Sequence, residues 1–559
     1  MRAVADAESR IAPIEGHAMA HFIDARATLV NDALDGLVAA SGGRLARLDG
    51  DPGIRVVMRA ELNPDKVAVV SGGGAGHEPA HAGFVGPGLL SAAVCGDVFA
   101  SPSVDAVLAG ILAVTGPAGC LLVVKNYAGD RLNFGLAAER ARALGHRVET
   151  VIVSDDIALP DVKQPRGVAG TLFVHKVAGH AAESGASLDA VAALARRAAD
   201  AAKSLGIAVS TCTIPGSPRS ERLDEGQAEL GLGIHGEPGV ERIVLPPAGE
   251  LAQMMAERLS GAVAGERLAL LVNNLGSASA LEMQILTRAV LATDLGKRVR
   301  LLIGPAPLMT ALDMHGASLS ILPLDDELEA ALAAPVLLPA WPGAVRIVPP
   351  TRRSMPEGLA GGAFTPSHDA VTASRIAAVA QALIAAEAKL NALDAKVGDG
   401  DAGTTFAGAA RAVLADLDRL PQADPTALCR ALAERIGRAV GGSSGVLGSI
   451  FFAAAAAAFA DKTDWPAALA QGVARVQGYG GAKPGDRTLL DALVPAVEAL
   501  KGGGLIAAAE AARAGAEATA RMERAGAGRS SYLAAGDLAG VQDPGAAGVA
   551  DAFAALARS

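Results

Sequence analysis

Three aspartates, Asp394, Asp399 and Asp401, lie within eight residues of one another in a stretch that is otherwise small or apolar. Carboxylates this close repel one another unless a cation neutralises them, and carboxylate oxygens are the ligands that Mg²⁺ and Ca²⁺ prefer. An exposed turn is the ordinary interpretation of a single Asp-Gly-Asp, but the third carboxylate favours a metal. Since Thr405 stands where an EF-hand has its glutamate, the pattern favours Mg²⁺ at a nucleotide-phosphate site.

A glycine-rich turn follows a strand-like run early in the chain. Val67–Val70 is followed directly by Ser71–His81, with the sequence SGGGAGHEPAH. Backbone N–H groups at such a turn can bind an oxygen-rich ligand, although the spacing matches neither a Walker A loop nor a dinucleotide fingerprint. His77 adds a titratable side chain at the carboxyl end of a strand, where α/β proteins usually bind ligands. We therefore predict a ligand site here.

Two more segments carry candidate side chains. A second strand-like run, Leu121–Val124, is followed by Lys125 and Asp130, which could bind hydroxyl or phosphate oxygens. A solvated turn is the ordinary interpretation of Lys125 taken alone. His235 lies among the four glycines of Gly231–Gly239, where little side-chain packing could hold a core histidine. This setting predicts a metal ligand, a base or a nucleophile.

The elements that must position these residues differ between the two halves of the chain. From His21 to Leu338, short β-rich runs alternate with helical stretches, which indicates α/β layers. Strands are predicted at 67–70, 121–124, 148–153, 268–272 and 299–303, with helices at 132–144 and 188–205. Beyond a Pro- and Gly-rich stretch the pattern is helical, at 371–390, 403–417, 425–440, 446–460, 465–477, 488–500, 505–525 and 545–557. We predict an α/β domain at 18–342, a linker at 343–367, and an all-α domain at 368–559 that carries the aspartates.

Composition narrows the class of protein. The 559 residues carry a formal net charge of -10, which argues against nucleic acid as the main partner. Four widely spaced cysteines without a CxxC pattern predict reduced thiols in a cytoplasmic protein. The first 25 residues lack the apolar core of a signal peptide, and the apolar run Val446–Ala460 is too short to span a bilayer. We therefore expect a protein without a membrane segment.

The motifs taken together resemble one family over nearly the whole chain, from about residue 18 to the end. The segments that resemble the substrate-binding domain of dihydroxyacetone kinases are Ser71–His81, Ala92–Pro102, Val124–Phe134, Gly231–Gly239 and Leu271–Gly276. Those that resemble the nucleotide-binding domain of the same family are Leu393–Thr405, Gly441–Gly445, Gly480–Asp491, Gly515–Thr519, Gly528–Leu533 and Asp543–Gly545. The resemblance implies a substrate domain of two α/β subdomains and a nucleotide domain built as a barrel of antiparallel helices.

The resemblance also implies roles for the candidate residues of the first half. His235 would attack the substrate carbonyl and form a covalent hemiaminal, while His77 and Asp130 would be the acid/base pair at the reacting hydroxyl. Ala75 stands where a serine is common in the family. The implied substrate contacts are Gly74, Ala75, Gly76, His77, Lys125 and Asp130.

In the second half, the resemblance implies that Asp394, Asp399 and Asp401 hold Mg²⁺, expected as two ions, against the phosphates of ATP. The implied nucleotide contacts are Asp401, Ala402, Gly403, Thr404, Ser443, Ser444, Gly445, Gly481, Arg487, Asp543, Pro544 and Gly545. Kinase relatives are dimers, so a homodimer is expected.

The function implied is ATP-dependent phosphorylation of dihydroxyacetone, with glyceraldehyde as a second acceptor. Fusion of both domains favours free ATP over a phosphotransferase relay. Three alternatives stay open: a kinase for a four-carbon ketose such as erythrulose, a lyase that splits FAD to a cyclic riboflavin phosphate with Mn²⁺, and a non-enzymatic carbonyl sensor. The presence of all three aspartates and of His235 weighs against the sensor.

Overall fold

The computed structural model describes residues 22–159, 162–217, 222–356 and 364–559, without the side chains of 442–444. The chain divides into two compact units, Met1–Thr351 and Arg352–Ser559. The start of the predicted substrate domain, 18–21, and part of the predicted linker, 357–363, lie outside the described residues.

The first unit contains every strand among the described residues. These are β1 (Leu45–Arg47), β2 (Val56–Arg59), β3 (Ala68–Ala75), β4 (Ala92–Val98), β5 (Cys120–Lys125), β6 (Val148–Val153), β7 (Lys203–Ala208), β8 (Gln227–Leu230), β9 (Glu241–Val244), β10 (Leu268–Asn274), β11 (Val299–Pro307), β12 (Gly316–Pro323) and β13 (Ala344–Arg346). Its helices are α1 (Leu29–Ala39), α2 (Val104–Val114), α3 (Ala128–Ala143), α4 (Thr171–Glu183), α5 (Leu188–Ala201), α6 (Ala248–Ala262), α7 (Ala280–Leu291), α8 (Asp294–Lys297) and α9 (Asp326–Ala333).

The first sheet has the order β1-β2-β4-β3-β5-β6 and is parallel from β4 to β6. Alternate residues of its central strands point to opposite faces, as the period of a strand requires. Leu121 and Val123 pack against α4 and α5, whereas Leu122 and Val124 pack against α2 and α3. Because both faces are covered, the central strands are mostly apolar, and charged residues such as Lys125 stand at their carboxyl ends.

The second sheet is mixed, in the order β13-β11-β10-β12-β7-β8-β9. It places His235 on the connection from β8 to β9, and it places Thr310 just after β11. The backbone N–H of Thr310 donates to His77 O at 3.1 Å, and that of Leu312 donates to Gly76 O at 2.9 Å. The glycine turn of the first sheet is therefore bonded directly to the second sheet.

The second unit is helical, with α10 (Ala370–Ala385), α11 (Glu387–Val397), α12 (Ala402–Ala415), α13 (Pro425–Ala439), α14 (Gly442–Ala460), α15 (Trp465–Gly480), α16 (Leu490–Thr519), α17 (Ala535–Leu538) and α18 (Pro544–Leu556). Neighbour contacts close a ring in the order α10, α12, α13, α14, α15, α16, α18 and back to α10. The predicted combination of an α/β region with two sheets and a helical region is confirmed.

Several boundaries differ from the sequence prediction, three of them through a change of element type or a break in a helix. The helix expected at 188–205 ends at Ala201, because Lys203–Ala208 pairs with β12 as strand β7. The helix expected at 371–390 is divided at Ala386. Residues Ala344–Arg346, predicted as linker, form the edge strand β13 beside β11. In each case the boundary depends on a tertiary contact or on a local break in the helix, and the hydrophobic periodicity of the sequence does not reveal it.

Helix α16 is, among the described residues, long and apolar enough to cross a membrane by length and composition, and the bent pair α10–α11 passes the same test together. Helix α16 breaks at Gly504, where φ is +70°. Leu490, Leu493 and Val497 pack in a cluster with side chains of α15 and α18. Core helices of folded domains commonly have this composition.

Candidate active site

The ring of His235 is oriented by a carboxylate two residues further along the chain. Its Nδ1 lies 2.9 Å from Glu237 Oε1, and its backbone N–H donates to Glu237 Oε2 at 3.0 Å. Because a carboxylate can only accept, Nδ1 carries the proton of this bond and Nε2 keeps its lone pair in the neutral ring. Burial alone would raise the pKa of Glu237, but the hydrogen bond and charge of His235 lower that pKa to about 2. The arrangement presents Nε2 as a nucleophile.

Three rings surround His235. The ring centroids of Tyr127, His77 and Phe99 lie 4.7, 4.9 and 5.2 Å from that of the His235 ring. All three meet it edge to face, a favourable geometry for aromatic pairs. Tyr127 and Phe99 were not singled out from the sequence, since only the fold brings them to His235.

His77 is fully buried beneath these rings. Its Nδ1 lies 2.7 Å from the Thr310 carbonyl oxygen, so Nδ1 is the protonated nitrogen, and Nε2 has no hydrogen-bond partner in the described part of the chain. Burial, and after it the neighbouring Lys125 ammonium, holds the pKa of His77 well below its ordinary value. His77 is therefore neutral near pH 7 and can accept a proton at Nε2.

Lys125 and Asp130 lie beside the glycine turn. A Cβ atom built on Gly73, whose φ is +148°, would lie 3.3 Å from Lys125 Nζ and 3.4 Å from Asp130 Oδ2. Both side chains are buried, and the Ser101 hydroxyl donates to Asp130. Lys125 Nζ has no hydrogen-bond partner within the described ranges, and burial lowers its pKa. These groups can bind the oxygens of a small polar ligand.

The glycines on either side of Ala75 are packed too closely against their neighbours to carry side chains. A Cβ atom on Gly74 would lie 2.7 Å from Ala100 N, and one on Gly76 would lie 2.7 Å from the Phe99 ring. The N–H of Gly76 donates to the Glu78 carboxylate at 3.0 Å. Together with Ala75, which is buried, this turn connects His77 to the groups beside Gly73. The structure thus brings all the predicted substrate-site residues into one region.

The three aspartates of the second unit also converge. One ligand oxygen from each of Asp394, Asp399 and Asp401 lies within 4.8 Å of the others; Asp394 is buried and the other two are exposed. Asp394 Oδ2 accepts the N–H groups of Asp401 and Ala402 at 2.9 and 3.2 Å, so the loop folds around this carboxylate. An all-oxygen donor set with two solvent-accessible carboxylates fits a hard divalent cation that keeps open positions.

Arg529 was missed in the sequence analysis, although its segment was quoted. Its guanidinium forms an ion pair with Asp399. Arginine matches the geometry of phosphate oxygens, so its position at the carboxylate cluster suits a triphosphate.

The other predicted nucleotide residues are distributed around helix ends. Ala402, Gly403 and Thr404 form the first turn of α12, and the Thr404 N–H donates to Asn391 Oδ1 at 3.0 Å. Gly445 is buried in the first turn of α14. The side chains of Ser443 and Ser444 lie outside the described residues. Gly481 ends α15 with φ +67°, and its described contacts do not connect it to the aspartates.

Arg487 and Asp543 form a second cluster. Arg487 is fully buried and donates to Val541 O at 2.7 Å, while its Nε and Nη1 have no partner among the residues described. Burial raises the pKa of Asp543 to about 6, although Arg487 opposes this. Asp543 caps α18, which begins at Pro544 and Gly545.

One loop links the two clusters along the chain. The N–H of Gly526 donates to Asp486 O at 2.9 Å, next to Arg487, and three residues further on Arg529 pairs with Asp399. The loop from Gly526 to Arg529 therefore contacts both the segment that carries Arg487 and the carboxylate cluster.

Comparisons with known proteins agree with this geometry. The Dak1 domain matches residues 35–340 and the DAK2 domain matches residues 396–558. The chain is 50% identical over 545 residues to dihydroxyacetone kinase of Citrobacter freundii, covering 96% of this chain and 99% of that protein. It is 40% identical to triokinase/FMN cyclase of Homo sapiens, with 96% and 98% covered. The crystal structure of the C. freundii kinase in complex with AMP-PNP and Mg²⁺ has a TM-score of 0.68 at 48% identity and covers 97% of this chain and 100% of that chain.

An α/β unit with an oriented imidazole and a helical unit with a carboxylate cluster define a two-domain, ATP-dependent small-molecule kinase. The chain belongs to the dihydroxyacetone kinase family. The resemblance stated from the sequence motifs is confirmed.

Proposed function

We propose that this chain phosphorylates dihydroxyacetone, and also glyceraldehyde, with ATP, and that it holds the substrate as a covalent hemiaminal on His235. One observation carries the proposal: Glu237 engages Nδ1 of His235 and leaves Nε2 as the reactive nitrogen. The ring centroid of His235 lies 4.9 Å from that of His77, whose Nε2 has no hydrogen-bond partner among the described residues. The name of the C. freundii relative supports the choice of substrate.

In the proposed capture step, Nε2 of His235 attacks the carbonyl carbon, a C–N bond forms, and the π electrons of C=O move to oxygen. The ring passes its Nδ1 proton to Glu237, which returns it to water, and the oxygen takes one proton from water. The net change is therefore one proton moved from Nδ1 to oxygen, and the product is a neutral hemiaminal. Glycerol has no carbonyl and cannot form the hemiaminal. The site would therefore select dihydroxyacetone over glycerol by chemical reactivity and not by shape.

The proposed transfer step uses His77 and Asp130. His77 is neutral because of its burial, so its Nε2 can accept the proton of the hydroxyl that attacks phosphorus. Asp130, beside Gly73, is the second member of this acid/base pair at the same hydroxyl. Lys125 offers positive charge to substrate oxygens. In the helical unit, Asp394, Asp399 and Asp401 would hold two Mg²⁺ ions, which neutralise phosphate charge when bound. Arg529 and Arg487 supply further positive charge there.

A four-carbon ketose is the second candidate substrate. Ala75 stands where a serine is common in the family, and its methyl group leaves slightly more room and removes one hydroxyl that could bind a triose. A cyclising FAD lyase is the second candidate reaction, since the human relative is also named as an FMN cyclase and such a reaction would use the carboxylate cluster alone. We further propose a homodimer in the cytoplasm, without nucleic-acid or membrane partners.

The test of capture uses dihydroxyacetone labelled with ¹³C at the carbonyl carbon. The wild-type protein should convert the ketone resonance into that of a tetrahedral carbon bound to the protein. His235→Ala should leave the ketone resonance unchanged, whereas His315→Ala, the same substitution at a histidine that pairs with Glu282 instead, should behave as wild type. Capture by His235→Ala would exclude the proposed role.

The test of substrate uses steady-state kcat/KM with ATP for dihydroxyacetone, glyceraldehyde and erythrulose. A higher kcat/KM for erythrulose would identify the four-carbon ketose, and not a triose, as the preferred substrate. Incubation with FAD and Mn²⁺ decides the lyase: the absence of a cyclic product removes that alternative.

A further inference from the structure

Behind His235 lies a second charged group, Arg166, on the connection from β6 to α4. Its side chain is mostly buried. Nε donates to Asp156 Oδ2 at 2.7 Å, and Asp156 Oδ1 in turn accepts the Ala158 N–H at 3.0 Å. Nη2 donates to the carbonyl of Gly231 at 2.7 Å. Arg166 is thus fixed on one side by Asp156 and binds the backbone of the histidine loop on the other.

The third nitrogen of the guanidinium approaches Glu237. A Cβ atom built on Gly233 would lie 2.6 Å from Arg166 Nη1 and would overlap Glu237 Oε2. The two charged groups therefore lie close together beside the bare Cα of Gly233, where only glycine fits, although no ion pair joins them among the described contacts. Burial lowers the pKa of Arg166, but the charges of Asp156, Tyr127 and, after them, Glu237 raise it, and the net pKa lies above the ordinary arginine value.

This arrangement matters because Glu237 has two opposite effects on His235. The carboxylate orients the ring, but an uncompensated carboxylate would also stabilise the imidazolium, which has no lone pair for attack. A positive charge near the carboxylate disfavours protonation of the imidazole, while the hydrogen bond between Nδ1 and Glu237 keeps the ring of His235 oriented. The polar and titratable groups that face this region are Glu237 of the same loop, His77 after β3, Lys125 and Tyr127 at the end of β5, Asp156 and Arg166 after β6, and Cys212 after β7.

We propose that Arg166 is a positioning residue that binds the Gly231 carbonyl and places a positive charge near the Glu237 carboxylate, so that His235 stays both oriented and nucleophilic. The inference rests on the proposed covalent capture and deepens it. Arg166 does not contact the substrate; it acts through Glu237 and through the backbone of the histidine loop.

The test measures hemiaminal formation from ¹³C-labelled dihydroxyacetone between pH 5.5 and pH 9 in Arg166→Met and Arg166→Lys. Arg166→Met removes the charge at similar length, so its capture should weaken at least tenfold at pH 6 and recover towards pH 9. In a plot of hemiaminal formation against pH, the midpoint of the loss on the acid side should therefore lie at higher pH for Arg166→Met than for wild type. Arg166→Lys keeps the charge and should restore the wild-type midpoint. ATP affinity should be the same in all three proteins.

Two results would overturn the inference: an Arg166→Met protein with the wild-type pH midpoint, or a loss of capture that is equal at all pH values and not rescued by lysine. A wild-type protein that forms no adduct would refute the covalent proposal itself, which distinguishes the two failures.

Discussion

Lowering the pH from 7 to 5 should destabilise the α/β unit through a buried histidine that the proposed mechanism does not use. His175 on α4 is fully buried, and its Nε2 lies 2.9 Å from Nδ1 of His81, which is also buried. Burial, and then the nearby Lys125, lowers the pKa of His175 to about 3. The native state therefore holds His175 neutral over the whole physiological range.

The size of the effect follows from this pKa. Because the folded pKa lies below the ordinary histidine value of 6.5, the unfolded chain takes up the proton first. Stability is lost as the pH falls below about 6.5 and continues to fall until about pH 3. At pH 5 the unfolded state gains about 2 kcal/mol from His175 alone, a roughly thirtyfold change in the folding equilibrium.

The assay is urea denaturation at pH 7 and pH 5 in a Trp465→Phe background. Trp341 then reports on the α/β unit alone, since it is buried there with its ring centroid 6.1 Å from that of Phe84. His175→Gln is the matched control, because its amide can still bond to His81 but cannot be protonated. Between the two pH values, the His175 protein should lose about 2 kcal/mol more unfolding free energy than the glutamine variant. Equal losses in the two proteins would refute the conclusion that the fold keeps His175 neutral.

Three further outcomes follow from the sites. Asp401→Asn keeps its N–H bond to Asp394 but removes a carboxylate, so turnover of ATP with dihydroxyacetone should fall about 100-fold. The ¹³C adduct should persist in this variant, and normal turnover would contradict the metal role. Gly398→Ala would place a methyl group onto Asp394 Oδ1 and should weaken Mg²⁺ binding by about tenfold in calorimetry, whereas Gly408→Ala, which meets only Val440 at 4.0 Å, should not. Ala75→Ser adds one hydroxyl to the buried turn and should raise the kcat/KM ratio of dihydroxyacetone over erythrulose about fivefold, the value of one hydrogen bond; an unchanged ratio would remove position 75 from the determinants of substrate choice.

Local sequence patterns predicted the second unit well, because its helices are set by periodicity and by breaks that neighbours along the chain determine. The helices expected at 425–440 and 545–557 are observed at Pro425–Ala439 and Pro544–Leu556. The helix expected at 188–205 was wrong at its end, since residues after Ala201 bond to β12, more than a hundred positions away. A strand made by distant pairing leaves little local signal.

The amino-acid sequence was enough to predict the candidate site residues: three aspartates with glycines between them, and histidines set in glycine-rich turns at strand ends, because few packing roles suit such residues in such places. Their orientation and their electrostatic surroundings follow from the folded arrangement. Glu237 on Nδ1 of His235, Arg166 behind Glu237, and Arg529 at Asp399 are all defined by side-chain directions. Direction and burial depend on contacts between segments far apart in the chain, and these contacts select the nitrogen that reacts and the histidines that stay neutral.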